Sequence, residues 1–253
     1  MTSIELHSHN IDDSAVITII HHCPKLETLL LISIIINITY LSLLALSERS
    51  LLLAELDIPH IPSIPTAEVA RRCSHALSCI CHLDTDDFYD SSQYASILIP
   101  YMTGLTSLRI CDCCYNSYLP LLIQYCHELT EIVVSGHCSF VDNILTLCRA
   151  NPLLQELIYY ACEITDTALI ELIHACSHLR TLWLPSETSI TDIGILALSE
   201  HCSELLELTI CSCHKVTEAA VLQLLQRCRK LTTLVLSSSS LSEETWALLD
   251  KNT

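Results

Sequence analysis

Apolar residues recur along this chain at fixed offsets from an anchor. After Cys176 come Leu179, Leu182 and Leu184, three, six and eight places on. Cys202 is followed in the same way by Leu205, Leu208 and Ile210, and Cys228 by Leu231, Leu234 and Leu236. Upstream anchors fall at Cys23, Glu48, Cys73, Met102, Cys126 and Asn151, with spacings between 24 and 29 residues along the whole series. Two units are poor matches: Glu48 leads to Leu51, Ala54 and Leu56, and Cys73 leads to Ala76, Cys79 and Cys81. They are placed by dividing the gap between Cys23 and Met102. A fixed period of this length implies units that bury their apolar faces only by stacking on one another.

Each unit changes periodicity half-way. The first half alternates as a strand does, with Leu182 and Leu184 on one face and Thr181 and Trp183 on the other. This predicts parallel strands beginning near Glu131, Glu156, Thr181, Glu207 and Thr233, with Leu182 and Leu208 as neighbours. The second half opens with Ile164-Thr165-Asp166, Ile190-Thr191-Asp192, Val216-Thr217-Glu218 or Leu241-Ser242-Glu243. The hydroxyl residue suits an N-cap, and the acid suits the positive end of the helix dipole. Ile11-Asp12-Asp13 repeats this grammar near the start, with Ile4 and Leu6 as a vestigial strand. The pattern matches the leucine-rich repeat, whose period is roughly 20–29 residues. The expected fold class is α/β, a leucine-rich-repeat solenoid of horseshoe type with an inner parallel sheet and outer helices. The expected organisation is one domain over residues 1–253, about nine repeats starting in a truncated one at 1–22.

Sixteen cysteines invite a metal or disulfide reading. Six are anchors, and Cys113, Cys138, Cys162 and Cys213 sit eleven or twelve places after an anchor, the Asn/Cys slot of the repeat. Small, weakly hydrogen-bonding side chains suit buried ladders. The remaining Cys-x-Cys-His clusters at Cys79-Ile80-Cys81-His82 and Cys211-Ser212-Cys213-His214 fall at similar repeat positions and lack the paired knuckles of zinc sites. Stacking therefore accounts for the cysteines, and neither a metal nor a cofactor is expected. The thiols are expected to stay reduced and no leader segment is expected before them, so the expected location is intracellular, in the cytoplasm or in an organellar or cytoskeletal assembly.

The run Thr28 to Leu46 carries no charge and is long enough to span a bilayer. Leu29 and Leu31 nonetheless hold the repeat register, polar residues interrupt the run, and no basic cluster flanks it. A membrane span is not expected. A formal charge of −17 argues against nucleic acid, whose phosphates demand the opposite sign. Only three glycines are present, so no glycine-rich phosphate loop exists, and no nucleophile elbow occurs. Catalysis is not expected.

The Cys anchor, the L-x-x-L-x-L core, the Cys eleven places on and the following I-T-D resemble the cysteine-containing leucine-rich-repeat subfamily. This subfamily occurs in F-box/LRR proteins and in antagonist of mitotic exit network proteins. The resemblance is close from Cys126 to Leu249 and looser from Ile11 to Tyr125. It implies a recognition surface, which the F-box members use to present substrates to a ubiquitin ligase through a separate three-helix module. With ten residues before the first repeat helix, that module is not expected within this sequence.

In this repeat type the fifth, seventh and ninth places after an anchor project from the concave strand face. The seventh-place column reads Leu30, Glu55, Ile80, Arg109, Val133, Ile158, Trp183, Thr209 and Val235. The ninth adds His82, Cys111, Tyr160, Pro185 and Cys211, and the fifth supplies Glu131, Glu156 and Glu207. Val133, Ile158, Tyr160 and Trp183 thus form an apolar and aromatic stripe beside an acidic row, with Arg109 at its end. Such a patch fits a non-catalytic protein-interaction module whose partner carries apolar anchors and basic flanks. The two roles it allows are a partner-selecting adaptor, as in ubiquitin-ligase substrate receptors, and a permanent structural subunit of a larger assembly.

Overall fold

A computed structural model describes residues 1–8, 10–33, 36–58, 60, 62–84, 92–110, 115–135, 141–160, 164–184, 188–211 and 214–237. The chain divides into two compact units, residues 1–108 with 113–128, and residues 109–112 with 129–253.

In the first unit β1 (Ser3–Ser8), β2 (Ile11–Asp12) and α1 (Asp13–His22) are followed by β3 (Thr28–Ser33), β4 (Ile36–Asn37) and α2 (Tyr40–Arg49). Then come β5 (Glu55–Asp57), α3 (Ala67–Arg72), α4 (Ser74–Ser78), β6 (His82–Asp84), α5 (Ser92–Leu98), a 3-10 turn (Ile99–Tyr101), β7 (Ser107–Ile110), whose last two residues belong to the second unit, and α6 (Tyr115–Tyr125). β1, β3 and β5 pair in parallel, with Ile4 beside Leu29 and Leu29 beside Leu56. The strand expected to be vestigial is therefore six residues long and fully paired. The uncharged run from Thr28 is parted into β3, β4 and α2, and no described helix is long and apolar enough to cross a membrane.

The second unit repeats strand and helix with less variation. β8 (Glu131–Val134), α7 (Val141–Ala150), β9 (Glu156–Tyr159), β10 (Ile164–Thr165) and α8 (Asp166–Ala175) come first. They are followed by β11 (Thr181–Leu184), β12 (Thr188–Ser189), α9 (Asp192–His201), β13 (Glu207–Ile210), α10 (Glu218–Arg227) and β14 (Thr233–Leu236). β8, β9, β11, β13 and β14 pair in that order, all parallel, and Leu182 lies beside Leu208. The five strands start where the alternation of the sequence puts them. The fold is that of an α/β leucine-rich repeat, with ladder leucines 154, 157, 179, 182, 184, 205 and 208 buried between strands and helices.

The hydrogen bonds define the anchor physically. It sits at or next to the end of a helix: its N–H donates to the carbonyl four back, as in Cys176 to Leu172 and Cys202 to Leu198, or three back, as in Met102 to Ile99 and Asn151 to Cys148. Its own carbonyl then accepts from the residue three ahead, as Cys176 does from Leu179. By this criterion the two poor units of the first half are displaced. Ser50, not Glu48, bonds to Leu46 and accepts from Leu53; Cys73 bonds to Val69 but accepts nothing from Ala76, whereas Leu77 both bonds to Cys73 and accepts from Ile80. The spacings from Cys23 to Ser50, Leu77 and Met102 become 27, 27 and 25 residues. Leu53, Leu56 and Ile58 then fill the ladder after Ser50, while Leu51 is 74% exposed and Ala54 lies outside it. Ile80 and Leu83 do the same after Leu77. The apolar density around Leu51-Leu52-Leu53 hid this register, because several alignments satisfy it almost equally.

Successive repeats are tied by a side-chain stair that the capping grammar only half anticipates. Thr165 caps α8 by accepting from Ala168 N–H, and Thr191 caps α9 by accepting from Ile193 N–H. The acid after each Thr reaches forward as well. Asp166 accepts from the Thr191 N–H at 2.9 Å, the Thr191 hydroxyl at 2.6 Å and the Gly194 N–H at 3.0 Å. Asp192 accepts from Thr217 N–H and hydroxyl, both at 2.7 Å. Asp13 accepts likewise from Thr39 and from the Ser42 hydroxyl. Burial pushes the Asp13 carboxyl up, but the Ser42 and Thr39 hydrogen bonds outweigh it and leave the group below its usual value. At Gly194 a Cβ would stand 2.6 Å from Asp166 Oδ1, so only glycine lets α9 come this close.

Candidate functional site

Parallel pairing turns sequence columns into neighbours. Glu131 pairs with Glu156 and Val133 with Ile158 between β8 and β9, and Ile158 pairs with Trp183 between β9 and β11. Trp183 continues to Thr209 and Val235 along β13 and β14. The seventh-place residues therefore form one row across the sheet, with backbones about 4.8 Å apart. Tyr160 follows β9 and places its ring edge-on to Trp183, with centroids 5.1 Å apart and planes at 61°. Pairs of this kind add roughly 0.5–1.5 kcal/mol beyond area burial and hold both rings in place.

The row is not uniformly accessible. Tyr160 is 46% exposed and Val235 43%, Ile158 and Trp183 are half-buried, and Val133 is only 5% exposed. Val133 therefore helps to floor the surface and offers little to a ligand, unlike the exposed role its column assigned it. Arg109, in the seventh place on β7, is exposed, and the Ser135 N–H donates to the adjoining Ile110 carbonyl at 2.9 Å. In the first unit the register correction moves three residues. Glu55 and His82 become fifth-place residues, and Ile80 is buried in the ladder rather than facing out. Cys111 and Pro185 fall outside the described residues, as do the cysteines at 113, 138, 162 and 213 and the expected helix after Leu241.

The carboxylates of the acidic row, on Glu131, Glu156 and Glu207, make no hydrogen bond or ion pair with any described residue. On the helices and turns of the same unit the acids are paired across repeats: Glu171 with Arg149 at 2.6 Å, Glu204 with Lys230 at 2.6 Å, and Glu200 with Arg227 at 3.7 Å. Glu131 and Glu156 are like charges at adjacent register positions, a pairing that disfavours the bare face. A cation arriving at this face relieves that repulsion, and apolar contact is available one strand position pair away.

The thiols are packing groups with weak hydrogen bonds. Cys228 Sγ donates to the Cys202 carbonyl at 3.4 Å and Cys126 Sγ to the Met102 carbonyl at 3.7 Å, each reaching the preceding anchor. Burial pushes Cys126 and Cys202 up to about 12, which leaves them inert as nucleophiles. Asn151 fills an anchor slot by accepting from Leu129 N–H and donating to the Leu147 carbonyl. Cys79 donates to the Leu53 carbonyl at 3.1 Å. No group of three or more His, Cys, Asp or Glu among the described residues is arranged to hold a metal.

No family model matches the chain, and no curated protein sequence matches it. Among solved structures, it is similar to a chain in the crystal structure of the Rad7 and Elc1 complex in yeast. The two share 16% identity over 96% of this chain and 71% of that one, with a TM-score of 0.61. A chain of the TLR13–ssRNA13 complex matches at 16% identity over 94% of this chain and 39% of that one, with a TM-score of 0.41. The first of these likenesses establishes the leucine-rich-repeat fold.

Proposed function

We propose that this chain is a non-catalytic protein-recognition module of the cysteine-containing leucine-rich-repeat kind, and that it works through the strand face of its second unit. One observation carries the reading: an edge-packed Tyr160–Trp183 pair, with Ile158 beside it, next to three glutamates without a partner among the described residues. Rigid aromatic rings with a polar tip give large contact area at small entropic cost, which is why they dominate interface energetics. The acids select a partner segment with basic flanks, and with the net charge of −17 they favour protein over nucleic acid. That a chain of the same fold comes from a complex named for two proteins, Rad7 and Elc1, supports the class of function and identifies no partner. Within this reading the chain is an adaptor that selects its partner, by resemblance for ubiquitination.

A second reading, a permanent subunit of a larger assembly, draws on a different observation. Leu51 and Ile193 are exposed large apolar residues away from the strand face, Ile193 at 63% on α9. Affinity purification from the native source separates the two. With Tyr160→Ala and Trp183→Ala combined, an adaptor loses its partner while the domain stays folded, its melting temperature lower by only a few degrees. A fixed subunit keeps its partners in that variant and loses them with Ile193→Asp.

A further inference from the structure

At the edge of the sheet where β9 and β11 begin, six residues line a depression of about 200 Å³: Thr130, Leu153, Gln155, His178, Arg180 and Glu204. All six belong to the second unit, and they sit two or four places after anchors, in the turns that lead into the strands. These positions play no part in the strand-face reading.

The charge balance of the depression differs from that of the molecule. Glu204 is the single carboxylate in its lining, and Lys230 holds both of its oxygens, at 2.7 and 2.6 Å. Lys230 first, and then Arg180 and His178 at longer range, hold the Glu204 carboxyl below its usual value. The Arg180 guanidinium and the His178 ring themselves make no hydrogen bond or ion pair with any described residue. Both are exposed. In a chain with 12 basic against 29 acidic residues, a guanidinium and an imidazole without a side-chain partner among the described residues and a neutralised acid converge on one concavity.

We propose that this depression binds a phosphate monoester. The guanidinium offers five N–H donors in a planar fork that matches two phosphate oxygens at once. The His178 ring and the Gln155 amide supply further donors, more than one carboxylate ligand uses. Leu153 forms the apolar wall at 60% exposure, suited to the aliphatic stem that carries the phosphate. Two sources share this chemistry, a phosphorylated side chain of a protein and a small free phosphate ester.

Titration of the full chain followed by NMR or calorimetry tests the site, with inorganic phosphate, a phosphoserine peptide with a leucine beside the phosphoserine, and the same peptide unphosphorylated as probes. The site predicts that both phosphate probes bind and the unphosphorylated peptide does not. Arg180→Gln weakens both by about tenfold or more, the scale of lost charged hydrogen bonds, at unchanged melting temperature. Arg180→Lys weakens them less, and Glu204→Gln tightens them. A peptide that binds more tightly than inorganic phosphate identifies a protein-borne source, and equal binding identifies a free ester. Failure of wild type to bind phosphate overturns the proposal. So does Arg180→Gln binding as wild type does, or a Glu204→Gln variant that melts lower and gains nothing, which would make Arg180 a mere partner of Glu204. None of these outcomes depends on the strand face, so this site and the recognition surface fail separately.

Discussion

Residues 176–210 and 50–83 build the same object with different means. In the first stretch Cys176 and Cys202 end their helices, the ladder holds only leucine and isoleucine, and Asp166 and Asp192 staple each helix start to the next. In the second, Ser50 and Leu77 occupy the anchor positions, the helix between them is broken into α3 and α4, and no aspartate stair is present among the described residues. Yet Leu56 is as deeply buried as Leu182. The ladder of large side chains is thus the indispensable part. The anchor thiol and the stair refine a geometry that burial and the backbone hydrogen bonds already impose.

The largest expected effect tests that ordering. Leu56→Ala removes a fully buried ladder side chain and should cost about 2–5 kcal/mol, as Leu182→Ala should in the regular stretch. Leu51→Ala, five residues earlier, should stay within about 0.5 kcal/mol. Denaturant unfolding measures both, and a severe loss at Leu51 would restore the displaced register. Next in size is the stair. Asp166→Ala leaves Thr191 N–H, its hydroxyl and Gly194 N–H without their acceptor, at a cost of about 1–3 kcal/mol. An Asp166→Ala variant that melts like wild type would make the stair ornamental. The smallest effect has the opposite sign. The Ser50 hydroxyl is buried without a hydrogen-bond partner among the described residues, where other repeats place a thiol. Ser50→Cys should therefore stabilise by up to about 1 kcal/mol, a rise of roughly 2–4 °C in melting temperature for a chain of this size.

The same contrast explains what could be read from the residues alone. Where one apolar residue stands every second or third place, as in Leu179-Leu182-Leu184, a single alignment buries them all and the strand starts follow. Where leucines are contiguous, as in Leu51-Leu52-Leu53, register is decided by which backbone group ends the helix, a three-dimensional fact with no side-chain signature. The aromatic stripe was legible because Ile158 and Trp183 share a column, and a column becomes a row once strands pair in register. The burial of Val133 was not legible, since column membership fixes direction and says nothing of what lies over a side chain. The forward reach of Asp166 and Asp192 had a signal in the recurrence of Thr-Asp at the repeat period, read only as local capping. The Arg180 depression joins four turns and carries no motif.

The strand face of the second unit is the proposed working surface. A photo-crosslinking amino acid placed at Trp183, and in a separate protein at Ile193 on the outer helix α9, tests it in one experiment. The account predicts that the partner purified with the wild-type chain becomes covalently attached from position 183 and not from position 193. Attachment from 193 with none from 183 would contradict it and place the interface on the helices.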